Sequence, residues 1–227
     1  MGAPAPQDSV YYAHAGSLPL VSRVSRLARR RLFRLFMDTM APAPGAMILD
    51  VGVSTDVSSM EANVLEALYP RRDKITCAGV GDAAALLEAY PGVSYARLTP
   101  HRPLPFADKS FDIAYSNAVI EHVGSRALQR EFVRELERVG RRVFLAAPNR
   151  WFPLEQHTAL PLLHYLPAPL FRALLRRTPL RHWSLEENLN HLSLAELHGL
   201  FRDPARVGTA YTGIGLGPAS SNIVAWT

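Results

Sequence analysis

The sequence predicts an α/β fold built on a doubly wound, mostly parallel sheet, and three observations carry that prediction. Residues 46–52 contain an apolar run (Met47, Ile48, Leu49) that ends in Asp50 and Gly52, and a helical pattern follows from Ser58. Short apolar segments then alternate with helical ones as far as residue 147, joined by brief loops rich in Pro and Gly. Right-handed crossovers between parallel strands place the helices of such a chain on both faces of the sheet.

The elements follow in order. Residues 1–17 read as a loose lead-in, and a basic helix runs over about 19–40 before Ala41-Pro42-Ala43-Pro44-Gly45 breaks it. The division is therefore an N-terminal tail and helix over 1–43 and a domain over 44–227. Strand 46–52 leads to a helix near 58–69, ended by Tyr69-Pro70. A second strand spans 74–80, after which Asp82 caps a short helix over 83–90. Residues 93–98 make an edge-type strand. A Pro-rich loop precedes strand 111–116, a turn over 117–124 and a helix near 125–138. Strand 142–147 stops at Pro148.

Residues 148–190 break this rhythm with Pro153, Pro161, Pro167, Pro169 and Pro179 among apolar residues. Short helices forming a lid over the open end of the sheet would explain them. Trp151, Phe152, Leu162, Leu163, Tyr165, Phe171 and Trp183 are expected to line an apolar acceptor pocket there. Ser193 with Glu196 opens a further helix to about 201 as a capping box. Strands near 205–211 and 221–226 finish the fold. The glycines of Gly213-Ile214-Gly215-Leu216-Gly217 precede the last strand and read as a turn between the final strands.

A hydrophobic content of 48% with 20% charged residues is ordinary for a globular chain of 227 residues. No apolar run approaches the roughly 18 residues of a membrane span. The first residues lack the basic and apolar regions of a secretory leader, and Cys77 is the one cysteine, so a cytoplasmic protein is expected. The net charge of +5 is concentrated in Arg23, Arg26, Arg29, Arg30, Arg31 and Arg34. Arg23, Arg26, Arg30 and Arg34 share a helix face opposite Val21, Val24, Ala28, Leu32 and Leu35. Residues 21–37 therefore either pack on the domain with a solvated arginine face or offer a peripheral contact to an anionic membrane. No aromatic-interleaved basic platform is present, and nucleic acid is not expected as a partner.

The turn at 50–56 carries the first chemical signal. A strand, tight turn and helix start present backbone N–H groups to a ligand, and Asp50 suits one with hydroxyl or amino donors. A glycine-rich version would read Asp-x-Gly-x-Gly-x-Gly. Ser54 and Asp56 stand at the second and third glycine positions.

Three segments read together are more specific: Ile48-Leu49-Asp50-Val51-Gly52, then Leu104-Pro105-Phe106 through Phe111-Asp112 to Glu121-His122, then Phe144 to Trp151. Their order and spacing resemble the class I methyltransferases dependent on S-adenosylmethionine, within the broad type 11 small-molecule group. The resemblance covers about 44–147. It implies a Rossmann-like, seven-stranded sheet with its last strand antiparallel and the cofactor S-adenosylmethionine over the carboxyl ends of the first two strands. By position Asp50 and Gly52 would face the methionine and ribose portions, with Ser54 adding a hydroxyl. The family usually ends its second strand with an acid for the ribose hydroxyls; Gly81 stands there, and Asp82 is the substitute candidate. Ser116 and Asn117 would lie beside the sulfonium.

A sulfonium methyl is already activated, so the protein must align the acceptor and, for oxygen or nitrogen, remove a proton. Histidine suits that task near neutral pH. His122 follows the fourth strand beside Glu121, and His157 lies in the lid near Glu155, so these two are the catalytic candidates. A histidine after a strand often only bonds a backbone carbonyl, and that structural role stands beside the catalytic one. His101, His164 and His191 carry weaker signals. The linear sequence offers no metal site: Glu121-His122 lacks neighbouring ligands and no His-Glu-x-x-His occurs. The acceptor expected is a small molecule or a lipid- or saccharide-linked group. Two other readings are a non-catalytic module that kept the fold and a peripheral membrane protein acting through its basic helix.

Overall fold

The computed structural model describes residues 19–55, 57 and 63–227, with helix side chains from Ser25 onward. The lead-in at 1–17, Asp56, the helix start at Ser58 and the side chains of Val21, Arg23 and Val24 lie outside the described residues. The strands are β1 (Ile48–Val51), β2 (Ile75–Gly79), β3 (Ser94–Arg97), β4 (Phe111–Asn117), β5 (Gly140–Pro148), β6 (Gly208–Thr212) and β7 (Asn222–Trp226). The α-helices described are α1 (Pro19–Met40), α2 (Val64–Leu68), α3 (Ala84–Ala89), α4 (Arg126–Val139), α5 (Ala168–Leu175) and α6 (Leu194–His198).

All seven strands join one sheet in the order β3-β2-β1-β4-β5-β7-β6. β1 to β5 pair in parallel, while β7 runs antiparallel between β5 and β6. This is the predicted Rossmann-like sheet with its last strand antiparallel. The strand order reverses between β1 and β4, which is where an open α/β sheet leaves a crevice at its carboxyl edge.

Alternation along the strands divides the core. Leu49, Val51, Ala114, Val143 and Leu145 face α4 and α6 through Val133, Leu136, Val139 and Leu197. Ile48, Ile75, Cys77, Ile113, Tyr115 and Phe144 face the other way, onto Leu32, Phe36 and Met40 of α1 with Leu65 and Leu86. Phe36 is fully buried and meets Tyr115 and Phe144 edge-on at 5.3 and 5.2 Å. The carboxyl-terminal half of α1 is thus part of the core. Arg26, Arg30, Arg31 and Arg34 remain exposed on its other side. No helix among the described residues is long and apolar enough to cross a membrane.

Residues 148–192 form a helical excursion with a small core of their own. Phe171, Leu175, Trp183 and Leu189 are buried together, with Leu160, Leu163, Leu166 and Leu180 against them. The apolar residues expected to share one pocket are divided by this packing. Phe171 and Trp183 are inside, whereas Trp151, Leu162 and Tyr165 are exposed at 42%, 54% and 36%. The final glycine turn is as predicted, with Gly213, Gly215 and Gly217 at φ +87°, +96° and +53°.

Candidate active site

Two neighbouring structures occupy the carboxyl edge of the sheet. The first is the turn after β1. Gly52 has φ +93°, and a β-carbon there would stand 2.3 Å from Val119 Cγ2. Only glycine fits both the backbone and that approach. The contact joins the turn after β1 to the turn after β4, across the crevice. Gly52 N–H donates to the Ala78 carbonyl at 2.7 Å. Ser54, two residues on, is held from outside the turn: Asn63 Oδ1 accepts from Ser54 N–H at 3.0 Å, and Asn63 Nδ2 donates to the Ser54 carbonyl at 2.9 Å. Asn63 is 2% exposed. No sequence pattern singles it out, because its role comes entirely from where the chain after the turn returns.

Asp50 lies beneath this turn. It pairs with Cys77 on β2 and Tyr115 on β4, so its side chain is on the α1 face of the sheet. Burial raises its carboxyl well above the ordinary range, and the nearby Glu66 carboxyl raises it further. Burial raises Glu66 as well. Glu66 Oε1 accepts from Cys77 Sγ at 3.2 Å, and burial pushes that thiol upward. Asp50 is thus an internal group under the turn, with its carboxyl shifted towards the neutral form. Ser116 is also internal: its hydroxyl donates to the Val51 carbonyl at 2.8 Å and ties β4 to β1. Asn117 is half-buried at the end of β4. Asp82 is exposed, and its Oδ1 accepts from Ala84 N–H at 3.0 Å. It stands one residue before the helix cap, Ala83, so the expected capping role shifts by one position.

The second structure is a histidine cluster. After β4 the chain makes a 3-10 turn, Ile120–His122, and α4 begins at its cap Ser125. Gln129 and Arg126 of α4 hold this turn against the end of the helical excursion. Gln129 Nε2 donates to the Ile120 and Asn190 carbonyls at 2.9 and 3.0 Å, and Arg126 Nη2 donates to the His191 carbonyl at 2.6 Å. The result brings together residues far apart in sequence. His122 Nε2 and His157 Nε2 are 3.2 Å apart. His122 Nδ1 lies 2.6 Å from the Asn188 carbonyl, and His157 Nδ1 lies 2.7 Å from Glu155 Oε1. His191 Nε2 reaches the same Glu155 oxygen at 3.1 Å. The His157 side chain is fully buried, whereas His122 is 32% exposed.

The two carboxyl groups of the cluster are shifted in opposite directions. Burial opposes the charge of Glu155, but hydrogen bonds from His157 and His191 hold its carboxyl well below the ordinary range. Glu121 is 1% exposed and burial raises it to about 7, against the lowering influence of His157. Trp183 covers the pair, with its ring 5.0 Å from His157 and 6.0 Å from His122. Both histidines singled out from sequence are therefore in one cluster. His191, weaker in sequence, joins them, and His164 lies at its edge, 5.6 Å from His191. His101 is an exposed turn residue elsewhere.

The turn after β1 places a glycine at positive φ at the switch point, with the exposed acid Asp82 beyond the end of β2 and the half-buried amide Asn117 at the end of β4. Residues 53–143 match the family model described as a methyltransferase domain. No curated protein matches the chain in sequence. Among solved structures, a methyltransferase of Aquifex aeolicus dependent on S-adenosylmethionine is similar at 13% identity, covering 98% of each chain with a TM-score of 0.60. One of Thermotoga maritima, described as a possible histamine N-methyltransferase, is 16% identical, covering 96% and 97% with a TM-score of 0.56. One of Methanosarcina mazei is 19% identical, covering 81% of this chain and 92% of its own, with a TM-score of 0.52. At these identities the solved structures establish the fold.

Proposed function

We propose that the chain, whose residues 53–143 match the methyltransferase domain model, is a class I methyltransferase dependent on S-adenosylmethionine, and that its acceptor is a small molecule or a lipid- or saccharide-linked group whose reactive atom meets His122 and His157. S-adenosylmethionine supplies a methyl group already activated by the sulfonium. We assign its binding to the Gly52 turn with Ser54, Asp82 and Asn117, while Asp50 and Ser116 support the strand ends from inside. The remaining tasks for the protein are alignment and proton removal.

The observation that carries the reading is the orientation of the two imidazoles. When Nδ1 donates to a carbonyl or carboxylate, Nε2 is left as the basic nitrogen. His122 and His157 each have Nδ1 against such an acceptor, and their Nε2 atoms converge. His122, the partly exposed member, receives the acceptor's proton. His157 shares it at 3.2 Å, and the Glu155 carboxylate behind His157 stabilises the charge. The helical excursion carrying His157 and Trp183 closes over this point as a lid.

Transfer of a labelled methyl group into lipid-extractable and water-soluble acceptor pools tests the proposal. Wild type should label one pool, and His157→Gln should slow transfer by about 10²–10⁴-fold, the usual contribution of a general base. Affinity for S-adenosylmethionine should be unchanged in the variant. An unchanged transfer rate would overturn the base assignment.

A second reading concerns location within a cytoplasmic setting. Exposed Arg26, Arg30, Arg31 and Arg34 form a basic face on α1. Because Leu32, Phe36 and Met40 are buried in the domain, any contact with an anionic membrane would be electrostatic, without insertion of an apolar face.

A further inference from the structure

We propose that Glu121, His122 and His157 form a binding site for a zinc-type divalent cation. Metal–ligand bonds of about 2.0–2.1 Å at tetrahedral angles put neighbouring ligand atoms about 3.3 Å apart. The two Nε2 atoms are 3.2 Å apart, and Glu121 Oε1 lies 3.7 Å from His122 Nε2. All three ligand atoms fall within 4.8 Å of one another. Each imidazole is aimed by its other nitrogen, His122 through the Asn188 carbonyl and His157 through Glu155. Metal-binding histidines are generally oriented in this way.

Glu121 provides an independent observation. Its side chain is 1% exposed and points at the imidazoles, yet neither carboxylate oxygen has a hydrogen-bond partner among the described residues. A buried carboxylate without donors is unfavourable, and a cation beside it would supply the missing partner. A second trio, Glu155, His157 and His191, also has its ligand atoms within 4.8 Å of one another but differs in this respect. The Glu155 oxygens already accept from His157 N–H, Thr158 N–H, the Thr158 hydroxyl and both imidazoles. Glu155 therefore acts as the outer support of His157, and Glu121 as the carboxylate ligand.

Two histidines and one carboxylate leave a fourth position open, as in catalytic zinc sites. The partly exposed face of His122 gives entry to it. The inference rests on the reading that the acceptor atom meets this cluster, and it adds that a bound ion would hold that atom at the open position. In the metal-free protein the same pair acts as the base. The linear sequence conceals the site because His157 is 35 residues from His122.

Titration of the chelator-treated full chain with zinc chloride, followed by calorimetry, tests the proposal, with cobalt(II) absorption reporting the coordination geometry. The expected result is one equivalent bound with a tetrahedral cobalt spectrum. Glu121→Gln and His157→Ala should each weaken binding by more than about 100-fold, beyond the effect of an outer-shell change. His101→Gln, remote from the cluster, should bind as wild type does. Circular dichroism identifies any variant that fails to fold, and the isosteric Glu121→Gln keeps the test decisive. Absence of zinc binding in folded wild type, or equal binding by Glu121→Gln, would overturn the site. A parallel titration with S-adenosylmethionine separates the two readings: cofactor binding without zinc binding removes this inference alone, and zinc binding without cofactor binding removes the enzyme reading.

Discussion

Gly81 and Thr55 stand directly against each other: a β-carbon on Gly81 would lie 2.5 Å from Thr55 Oγ1 and 2.9 Å from Thr55 Cγ2. The ribose-binding acid of the family would occupy this position. Its absence and the altered glycine turn are thus one arrangement, in which the Thr55 side chain fills the space an acidic residue would need. Gly81→Asp should lower stability by about 1–3 kcal/mol through overpacking and should weaken binding of S-adenosylmethionine. Adding Thr55→Gly should recover both. Thermal melts and calorimetry measure the pair, and tighter cofactor binding by Gly81→Asp alone would refute the steric account.

Asn63 holds both backbone groups of Ser54. Replacing it with Ala leaves them without that partner, at a cost of about 1–3 kcal/mol if they stay shielded from water. Hydrogen exchange at the Ser54 amide should accelerate markedly in Asn63→Ala, and cofactor affinity should fall. Unchanged exchange would show that the turn is held by something else.

The buried Asp50 and Glu66 carboxyls give a signed pH dependence. Both are raised in the folded protein, primarily by burial. Their contribution to stability is therefore full below the ordinary carboxylate value of about 4 and is lost as pH rises through the folded values. Glu66→Gln removes one of the two ionisations. The variant should gain stability relative to wild type as pH increases from about 4 towards 8, and the gain should vanish at acid pH. Denaturant unfolding across that range measures it; a pH-independent difference would contradict the assignment.

The two faces of α1 should respond differently to substitution. Phe36→Ala removes a fully buried ring against Tyr115 and Phe144 and should cost about 3–5 kcal/mol. Exchanging Arg26, Arg30 and Arg34 for Glu should change stability little, since surface sites away from special contacts usually stay within about 0.5 kcal/mol each. The same triple change should abolish co-sedimentation with anionic vesicles, which should also decline with added salt. Wild-type protein that ignores such vesicles at low salt would end the membrane reading.

Much of the fold was legible because local patterns and packing agree. The apolar run at Ile48 and Leu49, the capping box of Ser193 and Glu196 and the basic helix all have the same character in the sequence and in the fold. The antiparallel last strand followed from the family resemblance, whereas the place of β7 between β5 and β6 emerges only from the sheet, since periodicity alone does not give strand order. The site was legible in part. Gly52 and His122 are marked by motifs, whereas Asn63, Glu155 and His191 take their roles from contacts between distant segments. Ser116 shows the converse case: its hydroxyl engages the Val51 carbonyl, an internal tie that its position at the strand end does not reveal. The apolar residues of 148–190 were visible as a group, but their division between a small core and the surface depends on how α5 and the 3-10 turn Arg181–Ser184 pack.

Calorimetric titration with S-adenosylmethionine is the decisive measurement. Wild type should bind one saturable equivalent, retained by His157→Gln and lost in Gly52→Val, where a side chain would strike Val119. No binding heat at high micromolar ligand, or binding undiminished by Gly52→Val, would contradict cofactor binding at the Gly52 turn.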